Sequence, residues 1–163
     1  MTHTLILACG NPLRGDDAVA LHLARLLREQ LAGPELTVHT AQQWTPELAE
    51  PISHCDLAIF LDASTRFSPG FVHCESVVPY MGTAHALLTH SCNPGLLLSM
   101  SQRFYNRAPQ RAFLLTIGAQ SFAFSFSFSS LVQRAIPKAI SHLESILSGA
   151  TYAPSATHAL SAR

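Results

Sequence analysis

Two adjacent aspartates, Asp16 and Asp17, stand in the stretch GNPLRGDDAVALHL, where a turn gives way to a helical pattern. Only 12% of the chain is charged, so placing two acids side by side calls for a reason. One acid suffices to start a helix, because at the N-cap or in the first turn it satisfies orphan amides and complements the dipole. Consecutive helical residues point about 100° apart, so two neighbours cannot share that task. We therefore expect Asp16 to serve the helix and Asp17 to point into a crevice. A third acid, Asp62, ends the apolar run DLAIFLDA, a rigidly held position of the kind that functional residues occupy. His85 and His90 lie in an irregular stretch ahead of a helix start, and spacing does not choose between them. Acids and an imidazole that converge in one crevice are the ingredients of acid–base or metal chemistry.

Other chemistries find no support. Gly10 and Gly15 bracket NPLR, which matches neither G-x-G-x-x-G nor a P-loop, and two acids at the helix start would repel phosphate. None of the local zinc motifs occurs among the nine histidines. No serine–histidine–acid or cysteine–histidine constellation stands out, and Cys9, at an apolar strand end, is not expected to be a thiolate.

These residues need elements to hold them. TLILAC is an apolar run bounded by Gly10, as in a strand covered on both faces. From Asp17, Leu21, Ala24, Leu27 and Leu31 recur at helical spacing until Gly33-Pro34. LTVHTA reads as a second strand, TPELAEPI as a short helix capped by Thr45 with Pro46 in first position, and DLAIFLDA as a third strand. PGFVHCESV is a further strand, Asn93-Pro94 opens a helix, RAFLLTIG is a strand, and SSLVQRAIPKAISHLESIL is a closing helix with Pro137 inside it. Alternating strands and helices predict an α/β three-layer sandwich, with a twisted, mostly parallel sheet and helices on both faces. Sites in such folds lie outside the carboxyl ends of the strands. In the common order 2-1-3-4-5 the first and third strands are neighbours, about 4.8 Å apart, so Asp17 and Asp62 can approach across the crevice.

Length and composition bound the rest. The 163 residues are expected to form one domain over 1–148, with 149–163 a disordered tail. Ten basic and ten acidic side chains balance, which leaves no footprint for nucleic acid or an anionic membrane. Four widely spaced cysteines read as reduced, buried hydrophobes. A signal peptide and a spanning stretch are both lacking, so the expectation is a cytoplasmic protein. Separately, the chain is expected to be a monomer.

Taken together, GNPLRGDDAVALHL, DLAIFLDAS and LLTHSCNPGLLL resemble the hydrogenase maturation proteases, the endopeptidases that trim the C-terminus of a nickel-containing hydrogenase large subunit. The resemblance runs from about Leu5 to Leu147. It implies that Asp17, Asp62 and His90 are the metal-contacting and catalytic residues, and that Gly10 and Asn11 of the turn meet the substrate. It leaves His85 without a counterpart. Two carboxylates and an imidazole suit divalent nickel or zinc, and three protein ligands leave positions open for water or substrate. The resemblance further implies that nickel arrives bound to the large-subunit precursor, so that the chain needs no organic cofactor and carries no metal alone. Bond cleavage would follow from metal polarisation of the carbonyl, a metal-bound water, or general-base action of Asp17 or Asp62.

Three departures keep a second class in view, a non-cleaving nickel-checking module that docks the large subunit. Ala8 and Ala18 stand where the family commonly has glycine, and each methyl is expected to crowd the loop. FAFSFSFSS replaces a glycine-rich, acid-containing stretch. Its alternation predicts a strand or extended edge with one greasy face in preference to an exposed docking patch.

Overall fold

The computed structural model describes residues 2–31, 33–82 and 92–149. Five strands form one sheet: β1 (Thr4–Cys9), β2 (Leu36–Ala41), β3 (Leu57–Ser64), β4 (Val72–Ser76) and β5 (Arg111–Gly118). The helices are α1 (Val19–Gln30), α2 (Ala49–Ser53), α3 (Pro94–Tyr105) and α4 (Ser130–Leu147). Short 3₁₀ turns precede two of them, Gly15–Ala18 before α1 and Pro46–Leu48 before α2.

The strand order is β2-β1-β3-β5-β4. β1 pairs in parallel with β2 and with β3, whose register runs from Thr4 opposite Leu57 to Ala8 opposite Leu61. β3 and β5 are parallel, whereas β4 runs antiparallel along the far side of β5. The sheet is thus mostly parallel as predicted, but the last two strands exchange places relative to 2-1-3-4-5. The cause is connection length. A parallel neighbour needs a crossover of about a dozen residues or more. Residues 65–71 between β3 and β4 are too few, so β5, reached through α3, takes the place beside β3.

Period-two alternation sends each strand's residues to two cores. Ile6 and Ala8 of β1 and Ile59, Leu61 and Ala63 of β3 pack with Val19, Leu23 and Leu27 of α1 and with Val132, Ala139 and Leu143 of α4. Leu5, Leu7, Ala58 and Phe60 face the other way, onto Ile52 of α2 and Leu96, Leu97 and Met100 of α3. Helices therefore cover both faces, giving the predicted sandwich. The face of α1 differs in detail from the sequence reading. Val19, Ala20, Leu23, Ala24 and Leu27 are its buried residues, while Leu31 is exposed.

Local signals behave as their chemistry dictates. Asn93 caps α3, its Oδ1 accepting from the Leu96 amide at 3.0 Å, with Pro94 in the first turn where no donor is lost. Ser129 caps α4, which runs unbroken past Pro137, an exposed residue. Thr45 precedes its helix without capping it. Among the described residues no helix is long and apolar enough to cross a membrane. The expected tail beyond Gly149 lies outside the described residues.

Candidate active site

The turn after β1 is built to aim one carboxylate. Asn11 folds it twice over: its Oδ1 accepts from the Leu13 amide at 2.9 Å, and its carbonyl accepts from the Arg14 amide at 3.1 Å. The Asn11 amide then donates to Asp17 Oδ2 at 3.0 Å, fixing that side chain over the end of β1. Gly10 is required by this closeness, since a Cβ there would come within 2.0 Å of the Asp17 carbonyl oxygen. Gly15 has φ +52°, a left-handed conformation that favours glycine.

Asp62 reaches the same place from β3. Alternation puts it on the face of Ala58 and Phe60, one step beyond the last β1–β3 pair, Ala8 opposite Leu61. Its Oδ1 accepts from the following Ala63 amide at 2.8 Å, and the Trp44 indole also bonds to it. Burial pushes its carboxyl up to about 6, and the like charge of Asp17 adds to this rise, against the pull of the Ala63 amide and Trp44. Cys9 shares the crevice. Burial first, and then the charges of Asp62 and Asp17, push its thiol up to about 12, so it is a neutral wall and no nucleophile. Asp17 and Asp62 are therefore electrostatic neighbours at the carboxyl ends of β1 and β3, and a cation between them would relieve the repulsion that the fold builds in.

The division of labour between the two adjacent acids differs from expectation. Asp16 does not cap the helix it precedes, which has no side-chain cap. It is 2% exposed and reaches across the fold, Oδ2 accepting from the Gln120 and Ser121 amides at 2.9 and 3.4 Å and Oδ1 from the Ser129 amide at 2.7 Å. The three amides belong to the β5–α4 connection, whose distance in sequence hid the partnership.

That connection holds the phenylalanine-rich stretch, which is a loop and not the predicted strand. Its single bridge joins Ser125 to Arg14. Phe122 and Phe128 pack against the core, whereas Phe124 and Phe126 are 73% and 78% exposed and meet edge to face at 5.2 Å. The Ser125 amide and carbonyl bond to Leu13 and Gly15, and the Ser121 and Ser129 amides bond to Asp16, so the backbone is tied to the turn and not to a neighbouring strand.

The alanine departures are accommodated. Ala18 has φ −79°, which any residue adopts, and Ala8 is packed into the α1/α4 core. His85 and His90 lie outside the described residues. Among the described residues no group of three or more histidines, cysteines or acids could hold a metal, so Asp17 and Asp62 are at most a pair of carboxylates there. The donors present fit a divalent cation whose remaining ligands come from elsewhere.

Two residues beside Asp62 escaped the sequence reading. Trp44, the single tryptophan, follows β2 at the same carboxyl end and packs edge to face on Phe60 at 5.5 Å. Thr116 of β5 is the register partner of Asp62 and is 5% exposed. A lone tryptophan in the loop after a strand was the available signal for the first. Nothing in the sequence marks the second, because strand order alone decides it.

No protein-family model and no curated protein sequence matches the chain. Solved structures do. The hydrogenase maturating endopeptidase HybD from E. coli superposes with a TM-score of 0.70 at 20% identity, covering 91% of this chain and 94% of that one. The [NiFe] hydrogenase maturation protease HybD from Thermococcus kodakarensis gives 0.64 at 22% identity, over 88% and 98%. A [NiFe] hydrogenase maturation protease HycI from Thermococcus kodakarensis KOD1 gives 0.66 at 22%, over 90% and 93%. The chain has the fold of these endopeptidases along nearly its whole length.

Proposed function

We propose that this chain is an endopeptidase that removes the C-terminal extension of a nickel-loaded hydrogenase large-subunit precursor. The observation that carries the reading is the pairing of Asp17 and Asp62 at the carboxyl ends of neighbouring parallel strands, in a fold shared with hydrogenase maturation endopeptidases. A buried carboxylate raised partly by a like charge is an uncompensated negative site, the kind that functional centres hold and structural ones avoid. Nickel enters as part of the substrate. The two carboxylates, with His90 as the third arm, grip the ion that the precursor carries and so draw the adjacent peptide bond into the crevice. Asn11 holds Asp17 in its aim, and Trp44 and Ala63 orient Asp62. Burial and the two neighbouring carboxylates keep the Cys9 thiol protonated, which favours an activated water over a cysteine nucleophile.

The test is cleavage of purified precursor with and without nickel. Wild-type protein is expected to cut only the nickel-loaded form. Asp17→Asn, Asp62→Asn and His90→Ala are each expected to lose at least about a hundredfold in rate, the lower end for a positioned acid–base or ligand group, while remaining folded by circular dichroism. Full cleavage by Asp17→Asn would remove that residue from the site. Wild-type protein that retains loaded precursor uncut would assign the chain to the non-cleaving, nickel-checking class.

A further inference from the structure

The alternation in SFAFSFSFSS has a physical use once the loop is seen. Ser121, Ala123, Ser125 and Ser127, together with Phe128, line a cleft of about 280 Å³ against Gly15 and Asp16. Phe124 and Phe126, on the opposite side of the same backbone, are the exposed pair. The loop is bound at Phe122 and Ser125 to the turn that aims Asp17. The Ser125 amide donates to the Leu13 carbonyl at 3.1 Å, the Gly15 amide to the Ser125 carbonyl at 2.9 Å, and Arg14 Nε to the Phe122 carbonyl at 3.0 Å. Asp16, next in sequence to Asp17, closes the clamp from inside with its three amide bonds. Leu13, itself 46% exposed, is bonded directly to the residue between the two phenylalanines. Turn and loop thus form one body, displaying apolar side chains that an isolated surface would not keep.

We propose that Asp16 is a positioning residue that locks the 120–129 loop to the Asp17 turn, and that Phe124 and Phe126 select substrate by taking an apolar stretch of the polypeptide being cut. This rests on the endopeptidase reading for its substrate. The occupant is a polypeptide chain because the patch is continuous, through the Ser125 bonds to Leu13 and Gly15, with the turn that aims Asp17. A buried carboxylate with three charge-assisted amide bonds is a costly device for a surface loop of no consequence, since such bonds must offset removal of a full charge from water.

The experiment follows cleavage kinetics and amide exchange in the full chain. The double variant Phe124→Ser/Phe126→Ser changes only exposed side chains and is expected to raise KM about tenfold, a loss typical of removing an apolar anchor, with the deficit in KM and not in kcat. Asp16→Asn sets a donor against amide donors and is expected to speed exchange at Gln120, Ser121 and Ser129 at least about tenfold, with a rise in KM. An unchanged KM for the phenylalanine variant overturns the selection surface, as does a fall confined to kcat. So does a wild-type dimer that the variant makes monomeric while its KM is unaltered. Unchanged exchange in Asp16→Asn overturns the clamp. If wild-type protein cuts nothing, the endopeptidase reading fails separately, and the same variants are then scored by titration with intact nickel-loaded precursor. Weakened binding there supports the surface, and equal binding overturns it.

Discussion

The two ends of β3 carry aspartates in opposite circumstances. Asp56, just ahead of the strand, accepts from the His3 amide at 3.0 Å and from Arg107 at 2.9 Å, and these partners, the amide foremost, hold its carboxyl below the usual range. Asp62, at the far end, is pushed up to about 6 by burial first and then by the like charge of Asp17, with only neutral donors to oppose the rise. One strand therefore bears an acid that the fold satisfies and an acid that the fold leaves wanting. The difference teaches where chemistry lies in this molecule. Asp56 has a guanidinium against it and Asp62 has none, and it is Asp62 that the proposed site uses.

The sharpest way to break that contrast is stability against pH. Asp62 has a folded pKa above its ordinary 3.8, so the fold favours its protonated form. The resulting cost is absent below about pH 4, grows as pH rises toward 6, and is complete above it. Asp62→Asn should thus stabilise the chain by up to about 3 kcal/mol at pH 8, from about two pKa units, and by nothing at pH 3.5, even as it abolishes cleavage. Asp56 has the opposite sign. Its contribution is present above the unfolded pKa and is lost as pH falls through the folded one, so Asp56→Asn should be the less stable variant at neutral pH and converge with wild type in acid. Urea unfolding of both variants across pH checks the pair, and an Asp62→Asn protein no more stable than wild type at pH 8 breaks the comparison.

Next in size is Gly10→Ala. Its methyl would collide with the Asp17 carbonyl, so we expect a loss of about 1–3 kcal/mol, as for other overpacked sites, together with reduced cleavage as Asp17 shifts. Thermal unfolding and activity measure both. Trp44→Phe is subtler, because it keeps an aromatic against Phe60 and removes only the indole donor. The Asp62 carboxyl, followed by NMR, should then titrate about half a unit to one unit higher, the equivalent of one net hydrogen bond. The smallest effect concerns Ala18. Because its φ is negative, Ala18→Gly should gain nothing in activity and lose about 0.5–1 kcal/mol through added unfolded-state freedom.

Much of this was legible because it was local. An apolar run that stops at Gly10, an Asn-Pro pair before a leucine-rich segment and an acid at the end of DLAIFLDA each carry their structural meaning within a few residues. Asp17 and Asp62 could be paired in advance since first and third strands adjoin in the common order 2-1-3-4-5. Asp16 was misassigned for the converse reason. Its partners, Gln120, Ser121 and Ser129, lie far along the chain, so the local rule for acids at helix starts was the only one available, and it named the wrong donors. The phenylalanine stretch misled similarly, showing a strand's period where the Leu13–Gly15 turn had already engaged its backbone.

The chain's own residues were enough to place the five strands and four helices in order, the phenylalanine stretch excepted, because helical and strand periodicity, caps and turns are short-range properties of side chains and backbone. Tertiary structure alone decided that β5 lies between β3 and β4, that Asp16 is spent on a distant loop, and that Thr116 and Trp44 stand beside Asp62. Those outcomes depend on which connection is long enough to cross the sheet and which buried acid meets which amides. Both are settled only when segments far apart in the chain compete for the same space.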